Sequence, residues 1–254
     1  MRAMRRAVLV VLGSVAAWLA VLPIVNADAT DTACSRALGQ KIVGAPTNAL
    51  AWRAGIEVRT AVFYRLPGKS LRPSRWTAPA DGPWLLVVRG ARGANDRCWV
   101  RVRLPWRPNG AAGWVNANNV VLQQTSWRIA VSTAHRTLTL FNAGSAVRTV
   151  PVVVGEPSTP TPSGLFAVLW AIRWHPTDFL GSWVLELAAH SDVLQHFDGG
   201  DGTVGIHGRG GASLLDPLGS ARSHGCVRLS NDAIDWLVHT IGTTRLPGTP
   251  VQIN

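Results

Sequence analysis

The pattern of apolar and polar positions predicts two β-rich parts, residues 49–123 and residues 126–254. In the first part, short runs such as PWLLVVRG and CWVRVRLP are each bounded by Gly, Pro or Asn, which is typical of strands joined by tight turns. Alternation is strict in WVRVRL, which predicts that Val100, Val102 and Leu104 share one face of a sheet. The Pro-Asn-Gly of PWRPNG predicts a turn between two of these strands. We therefore expect a mainly β fold.

The first β-rich part resembles a small bacterial SH3-type barrel. Its short strands are separated by Gly- and Pro-rich turns, and Gly113-Trp114-Val115 near its end adds to the resemblance. Other small β barrels produce the same pattern. The preceding segment, residues 28–48, carries few regular signals and is predicted to be a linker.

The second β-rich part is predicted to be a β-sandwich or similar β-rich domain with a short C-terminal helix. WRIAVSTAHRTLTLFNAG predicts two strands around a turn, AVRTVPVVVG a third strand, and LFAVLWAIRW and SWVLELAA two more. Ser230 is a good N-cap for a helix that starts at Asn231, and Gly242 is a good residue to end it. The apolar stripe of this helix consists of Ile234, Leu237, Val238 and Ile241.

The composition and the N-terminal segment favour an exported globular protein. Of the 254 residues, 47% are hydrophobic and 15% are charged, which argues against a disordered chain. A basic start is followed by an apolar run from Ala7 to Val25, and residues 1–27 have the pattern of a signal peptide cleaved after Ala27. An uncleaved membrane anchor is the alternative, because the run is long enough to span a bilayer. Both alternatives place the rest of the chain outside the cytoplasm.

The formal net charge of +11 favours anionic surroundings. Nucleic acid, anionic lipid and acidic cell-wall polymers all meet that condition. Export argues against nucleic acid as a partner, so we expect anionic envelope polymers.

The stretch ARSHGCVRLSND places Cys226 in surroundings suited to nucleophilic chemistry. A cysteine attacks as its thiolate, and His207, nineteen residues earlier, would take the proton and hold an ion pair. His224 stands two residues before the cysteine. Gly208 and Gly225 permit sharp turns, and backbone N–H groups there would stabilise an oxyanion. The helix predicted to begin soon after Cys226 would lower the pKa of the thiol further.

Two other interpretations of Cys226 are open. A lone free cysteine is often a small buried hydrophobic residue. A zinc site would use His207, His224 and Cys226, with His190 or His196 as a fourth ligand. His-x-Cys is tight spacing for two ligands, and the chain has no Cys-x-x-Cys pair. We therefore predict no metal and no organic cofactor.

Two motifs in the same order resemble the L,D-transpeptidase catalytic (YkuD-type) domain. GIHGRGG followed by SARSHGCVRLSNDAIDWL resembles the His-Gly and Ser-His-Gly-Cys signature of that family. VVVGEPSTPTPSGLF resembles its upstream Gly-x-x-x-Thr-Pro-Thr-Pro stretch. The resemblance runs from Trp127 to Asn254.

The resemblance implies a role for each matched residue. Cys226 would be the nucleophile and His207 the base, with the carbonyl of Gly208 orienting that base. Arg228 would bind a substrate carboxylate or brace the loop. The substrate channel and the oxyanion region would be lined by Ser223, His224 and Gly225.

The three cysteines are expected to form one disulfide and leave one free thiol. An odd count in an exported protein indicates this division. Because Cys226 is assigned to chemistry, Cys34 and Cys98 remain as the pair.

The resemblance implies an exported L,D-transpeptidase that acts on peptidoglycan stem peptides. The thiolate of Cys226 would attack a tetrapeptide donor, release D-alanine and pass the acyl group to an amine of a second stem in cell-wall cross-linking. An L,D-carboxypeptidase that transfers the acyl group to water and a non-catalytic wall-binding protein are the alternatives. The SH3-like module would hold the enzyme on the wall, so a fragment beginning near Gln124 should keep its activity on soluble fragments.

Overall fold

The structure is a computed structural model, and it describes residues 29–39, 41–59, 61–67, 69–76, 82–94, 97–197 and 199–254. The predicted signal peptide or anchor, residues 1–27, lies outside these ranges. Within them, no helix has the length and apolar character needed to cross a membrane.

The first β-rich part is an antiparallel sheet. Its strands are β1 Ala51–Ile56, β2 Ala61–Leu66, β3 Lys69–Trp76, β4 Leu85–Ala94, β5 Arg97–Arg103, β6 Ala112–Asn116 and β7 Val120–Thr125. In the described residues they pair in the order β3-β2-β6-β5-β4-β1-β7. As the alternation predicts, Val100, Val102 and Leu104 are buried together in the core. Trp99 on the other face is also buried, and its ring meets Tyr64 edge to face at 4.9 Å between centroids. The SH3-like identity of this sheet stays a prediction.

A helix, α1 Ala29–Leu38, occupies half of the segment predicted to be a linker. Cys34 and Leu38 are buried in the core of the N-terminal sheet, and the Cys34 sulfur is bonded to that of Cys98 on β5 at 2.09 Å. The linker prediction for residues 28–48 is therefore wrong over α1. The contacts that hold this helix come from β4 and β5, far along the chain, and the local pattern does not contain them.

The second β-rich part is a mixed sheet. Its strands are β8 Trp127–Ser132, β9 Thr137–Asn142, β10 Ser145–Pro151, β12 Gly164–Arg173, β13 Trp183–His190, β14 Thr203–His207, β16 Val227–Arg228 and β17 Pro250–Ile253. Among the described residues their order is β10-β9-β8-β17-β12-β13-β14-β16, with parallel pairs at β8–β17 and β14–β16. AVRTVPVVVG forms two strands, β10 and β11 Val154–Gly155, and β11 pairs with β15 Ala221–Ser223. The predicted mainly β fold is confirmed.

The predicted C-terminal helix is confirmed as α2 Asn231–Ile241. The Ser230 hydroxyl accepts a hydrogen bond from the Ala233 N–H at 3.2 Å, and Gly242 ends the helix with φ 90°. Burial of the apolar stripe contributes about 1.5–3 kcal/mol for each side chain. That buried stripe consists of Ile234, Leu237, Val238 and Ile241. Two short 3-10 helices span Ala117–Asn119 and Gly211–Leu215.

The two β-rich parts are packed against each other. Ala51 and Leu86 of the first sheet share an apolar cluster with Ala167 of β12. Leu169 and Ala188 of the second sheet are buried in the core of the first. The predicted boundary at residues 123–126 falls on the last three residues of β7 and the one residue before β8, and apolar contacts cross it.

A buried arginine adds polar contacts to this interface. The guanidinium of Arg53 on β1 lies 4.4 Å from the Trp84 ring, and its Nη2 donates to the Gln123 side chain at 2.7 Å. Three backbone carbonyls after α2 would lose a buried donor without this arginine. Nη1 donates at 3.0–3.1 Å to the carbonyl oxygens of Thr244, Arg245 and Pro247.

We predict that purified protein carries the Cys34–Cys98 bond and one free thiol. Digestion without reductant, after the free thiols are blocked, should give one cross-linked peptide pair and a blocked Cys226. The bond closes a separation of 64 residues. Replacing both Cys34 and Cys98 by Ala should therefore lower the free energy of unfolding by about 4 kcal/mol, as measured by urea titration. Blocked Cys34 and Cys98 in unreduced protein would contradict this prediction.

Candidate active site

The pairing of β14 with β16 brings the predicted nucleophile and base to one cavity. The two strands run parallel, with His207 opposite Arg228. Cys226 lies immediately before β16, and its sulfur accepts a hydrogen bond from the Gly205 N–H at 3.4 Å. Cys226 and His207 both line a cavity of about 320 Å³. The remaining lining is largely apolar and includes Trp174, Phe179, Leu194 and Phe197.

The imidazole of His207 is held in one tautomer. Its Nδ1 lies 2.8 Å from the carbonyl oxygen of Gly208, and a carbonyl can only accept, so Nδ1–H donates and Nε2 keeps its lone pair. This is the contact that the family resemblance implies for Gly208. Burial lowers the pKa of His207 to about 4, although the Gly208 carbonyl acts in the opposite direction. The imidazole is therefore neutral at pH 7.

The backbone at Gly208 packs so closely against its neighbours that only glycine fits there. A Cβ at this position would collide with the Asn231 side-chain oxygen. That oxygen accepts the N–H groups of Ser182 and Arg209 at 3.1 and 3.0 Å, and the amide of Asn231 donates to the Pro176 carbonyl at 3.0 Å. One side chain thus links three segments around the histidine. The local sequence around Asn231 indicates only the start of a helix, because the partners of its side chain lie far along the chain.

The thiol of Cys226 is also neutral at pH 7. Burial raises its pKa, and the Gly205 N–H and the charge of Arg228 offset that effect only in part. Burial acts against the expected resting ion pair, because it favours the neutral form of both His207 and Cys226. β16 lies between Cys226 and the start of α2 in the chain, and a lowering of the thiol pKa by that helix stays a prediction.

Ser223 braces the nucleophile loop and does not line the channel. It is fully buried; its Oγ donates to the Cys226 carbonyl at 2.5 Å and accepts from the Gly225 N–H at 3.2 Å. Gly225 has φ 119°, which L side chains rarely adopt. The predicted lining roles of Ser223 and Gly225 are therefore wrong, and the Gly225 N–H is already engaged. The amides of His224 and Cys226 remain as candidate oxyanion donors.

The Thr-Pro-Thr-Pro stretch supports the nucleophile loop from behind. The Glu156 N–H donates to the Ser223 carbonyl at 2.9 Å, and the Thr159 hydroxyl donates to the same oxygen at 3.4 Å. The Thr161 hydroxyl accepts from the Gly155 N–H at 2.8 Å and closes the stretch on itself. The two sequence motifs are therefore structural partners.

Arg228 braces the site from within the cavity wall. It is 3% exposed, its Nη1 lies 2.6 Å from the Asp216 carboxylate, and its guanidinium lies 4.8 Å from the Phe179 ring. Of the two roles that the resemblance left open, bracing is the one these contacts support. The contact between Asp216 and Arg228 could not be predicted from the sequence, because Asp216 carries no local signal for it.

His224 lies at the rim of the cavity and is not grouped with other described residues that could bind a metal. Its exposed ring stacks on Phe197 at 5.2 Å between centroids. His190, considered as a zinc ligand, lies 3.2 Å from Asp201. In the part of the chain that the structure describes, no three His, Cys, Asp or Glu residues are grouped so that they could hold a metal ion.

Comparison with known proteins agrees with this arrangement of motifs. Residues 126–253 match the YkuD family, described as the L,D-transpeptidase catalytic domain. The chain belongs to this family. The YkuD protein of Bacillus licheniformis is 34% identical over 125 residues, which are 49% of this chain and 66% of that protein. The YkuD protein of Bacillus subtilis strain 168 is 32% identical over 128 residues, 50% of this chain and 66% of that protein. This L,D-transpeptidase-family chain thus spans just under two thirds of either relative.

Solved L,D-transpeptidases show more distant similarity. L,D-transpeptidase 3 of Mycobacterium tuberculosis is 18% identical, with a TM-score of 0.41 over 59% of this chain and 76% of that chain. A variant of the Enterococcus faecium L,D-transpeptidase is 19% identical, with a TM-score of 0.37 over 50% of this chain and 49% of that chain.

We predict that alkylation of Cys226 by iodoacetamide becomes about tenfold faster for each pH unit between pH 6 and 8, because a thiol with a raised pKa must first lose its proton. Intact-protein mass spectrometry of the unreduced protein would follow the rate, with Cys226→Ala as the control. A rate that stays constant over this range would indicate a resting thiolate–imidazolium pair and contradict the neutral pair.

Proposed function

We propose that this chain is an exported peptidoglycan L,D-transpeptidase that works through a thioacyl-enzyme on Cys226. The observation that carries the proposal is the β14–β16 pairing, which places Cys226 and His207 in one cavity. Membership of the L,D-transpeptidase catalytic-domain family supports stem peptides as the substrate class.

Acylation would start from the neutral pair. As the donor carbonyl carbon approaches the Cys226 sulfur, Nε2 of His207 accepts the thiol proton and the S–C bond forms. The carbonyl of Gly208 stabilises the resulting imidazolium through Nδ1–H. The amides of His224 and Cys226 donate to the oxygen that becomes negative. The proton thus moves when the substrate is present, and no buried ion pair has to persist in the free enzyme.

The tetrahedral intermediate would then collapse in the forward direction. The imidazolium of His207 gives its proton to the departing nitrogen of D-alanine, the C–N bond breaks and a thioester on Cys226 remains. An amine of a second stem attacks this thioester and loses its proton to His207. The S–C bond breaks as the new amide forms, and the sulfur takes the proton back.

The charge of Arg228 acts on both reacting groups. It lowers the pKa of the Cys226 thiol and so favours the thiolate, and it lowers the pKa of His207 and so favours return of the proton. The Asp216 carboxylate at 2.6 Å moderates both effects. Arg228 is therefore proposed as an electrostatic support for the attacking sulfur.

We also propose that the protein works outside the cytoplasm, at the cell wall or in the periplasm, either secreted or anchored by its leader. The Cys34–Cys98 bond supports this placement, because structural disulfides are rare in reducing compartments. The net charge of +11 suits anionic wall polymers, and peptidoglycan stem peptides are the proposed substrate and partner.

Turnover of a soluble tetrapeptide stem fragment tests the proposal. Cys226→Ala and Cys226→Ser should each lower turnover at least about 1000-fold, because alanine has no nucleophile and a serine hydroxyl has a much higher pKa. Thermal melting should show that both variants fold like the wild type.

The products of the wild-type reaction separate the three functions. A cross-linked dimer in the mass spectrum supports transpeptidation. A trimmed tripeptide with no dimer would mean hydrolysis, and no product from folded wild-type protein would mean a non-catalytic wall-binding protein.

A further inference from the structure

The turn between β5 and β6 reaches from the N-terminal sheet to the catalytic part. This turn, PWRPNG at residues 105–110, is closed by the Leu104 N–H, which donates to the Ala111 carbonyl at 2.9 Å. The Trp106 ring meets the fully buried Phe63 edge to face at 5.9 Å between centroids. The base of the turn is therefore fixed in the N-terminal core, and its tip contacts the catalytic part.

Arg107 at this tip binds both ends of the loop that joins β13 to β14. Its Nη1 donates to the Ser191 carbonyl at 2.6 Å, and its Nη2 donates to the carbonyls of Leu194 and Asp201 at 2.9 Å each. Ser191 and Leu194 begin the loop and Asp201 ends it. One planar guanidinium therefore holds the two ends of the loop together.

Asn109 at the same tip continues the edge of β13. Its Oδ1 accepts the His190 N–H at 2.9 Å, and its Nδ2 donates to the His190 carbonyl at 2.6 Å. Nδ2 also lies 2.9 Å from the Asp192 carboxylate. The side chain thus pairs with one residue of the strand as a neighbouring strand would, and it fixes where the loop leaves the sheet.

The loop held in this way is one wall of the catalytic cavity. This pocket-wall loop, residues 191–197 and 199–202, lines the same cavity as Cys226. Its Phe197 stacks on His224 of the nucleophile loop. The cavity residues that it supplies are Ser191, Leu194, Phe197 and Gly202. The shape of the cavity therefore depends on contacts from the N-terminal sheet.

We propose that Arg107 and Asn109 are positioning residues for this wall of the catalytic cavity, and that the wall contacts the tetrapeptide donor. The N-terminal part sets the shape of the cavity through the pocket-wall loop, whereas the described residues that line the cavity all belong to the catalytic part. The inference rests on the proposed function for its substrate readout. A fragment that begins near Gln124 lacks both positioning residues. We therefore no longer expect it to keep full activity on soluble fragments.

The test compares full-length variants of Arg107 with a control variant of another arginine, Arg89. Arg107→Gln removes the charge and most of the donors, Arg107→Lys keeps the charge, and Arg89→Gln changes an exposed arginine on β4 of the same sheet. Arg107→Gln should raise KM for the tetrapeptide donor about tenfold and change kcat less than twofold, because the wall binds substrate and the reacting groups are unaltered. Arg107→Lys should recover part of the affinity, and Arg89→Gln should behave as the wild type.

Hydrogen exchange gives a readout that does not need turnover. In Arg107→Gln and Asn109→Ala, amides of residues 191–197 should exchange at least about tenfold faster, while those of α2 should be unchanged. The pH dependence of Cys226 alkylation should match the wild type in both variants. A general loss of stability would instead speed exchange in α2 as well, and that result would overturn the positioning role.

The outcomes separate this inference from the proposed function. If the wild type turns over the donor and Arg107→Gln has the KM and the exchange of Arg89→Gln, the inference is wrong and the function stands. If the wild type shows no turnover, the function fails, and exchange of the pocket-wall loop still decides the inference. If Arg107→Gln does not fold, Asn109→Ala and Arg107→Lys provide the same two measurements.

Discussion

The parallel pairing of β14 with β16 is the constraint on which the rest of the site depends. It sets Cys226 beside Gly205 and brings His207 into the same cavity, although nineteen residues separate the two in the sequence. The surrounding contacts preserve this pairing. Ser223 fixes the loop before β16, and Asn231 fixes the segments behind the histidine. A change that shifts the register by one residue would turn the cysteine away from the cavity.

Burial determines the electrostatics of the reacting pair. Desolvation raises the pKa of Cys226 and lowers that of His207. The charge of Arg228 offsets the first effect only in part and adds to the second. These directions favour a resting site that is uncharged, and we propose that it ionises as the sulfur attacks a substrate carbonyl. For His207 the folded pKa of about 4 lies below the unfolded value of 6.5, so the unfolded chain binds more protons between these values. Its contribution to folding stability is full above pH 6.5 and is lost as the pH falls toward 4.

Sequence patterns revealed what depends on neighbouring residues and missed what depends on distant ones. Three local signals were informative. Alternation in WVRVRL predicted a buried face of a strand, the caps predicted the ends of α2, and the Ser-His-Gly-Cys motif pointed to Cys226. The helix α1 was missed because Cys34 is held by Cys98. The Asn231 and Arg107 contacts were missed because their partners are backbone groups in loops, and any residue type supplies those. Ser223 was placed in the right loop and given the wrong role, since its burial depends on the Thr-Pro-Thr-Pro stretch far upstream.

The central claim is that Cys226 is the nucleophile and that neutral His207 takes its proton. The most direct test is the rate at which a carbapenem, a strained acyl donor, adds its mass to the protein, followed by intact-protein mass spectrometry and mapping of the modified peptide. The account predicts one adduct on Cys226 in the wild type, none in Cys226→Ala, and addition at least about 100-fold slower in His207→Ala, which lacks the base. An adduct in Cys226→Ala, or equal rates in the wild type and His207→Ala, would contradict it.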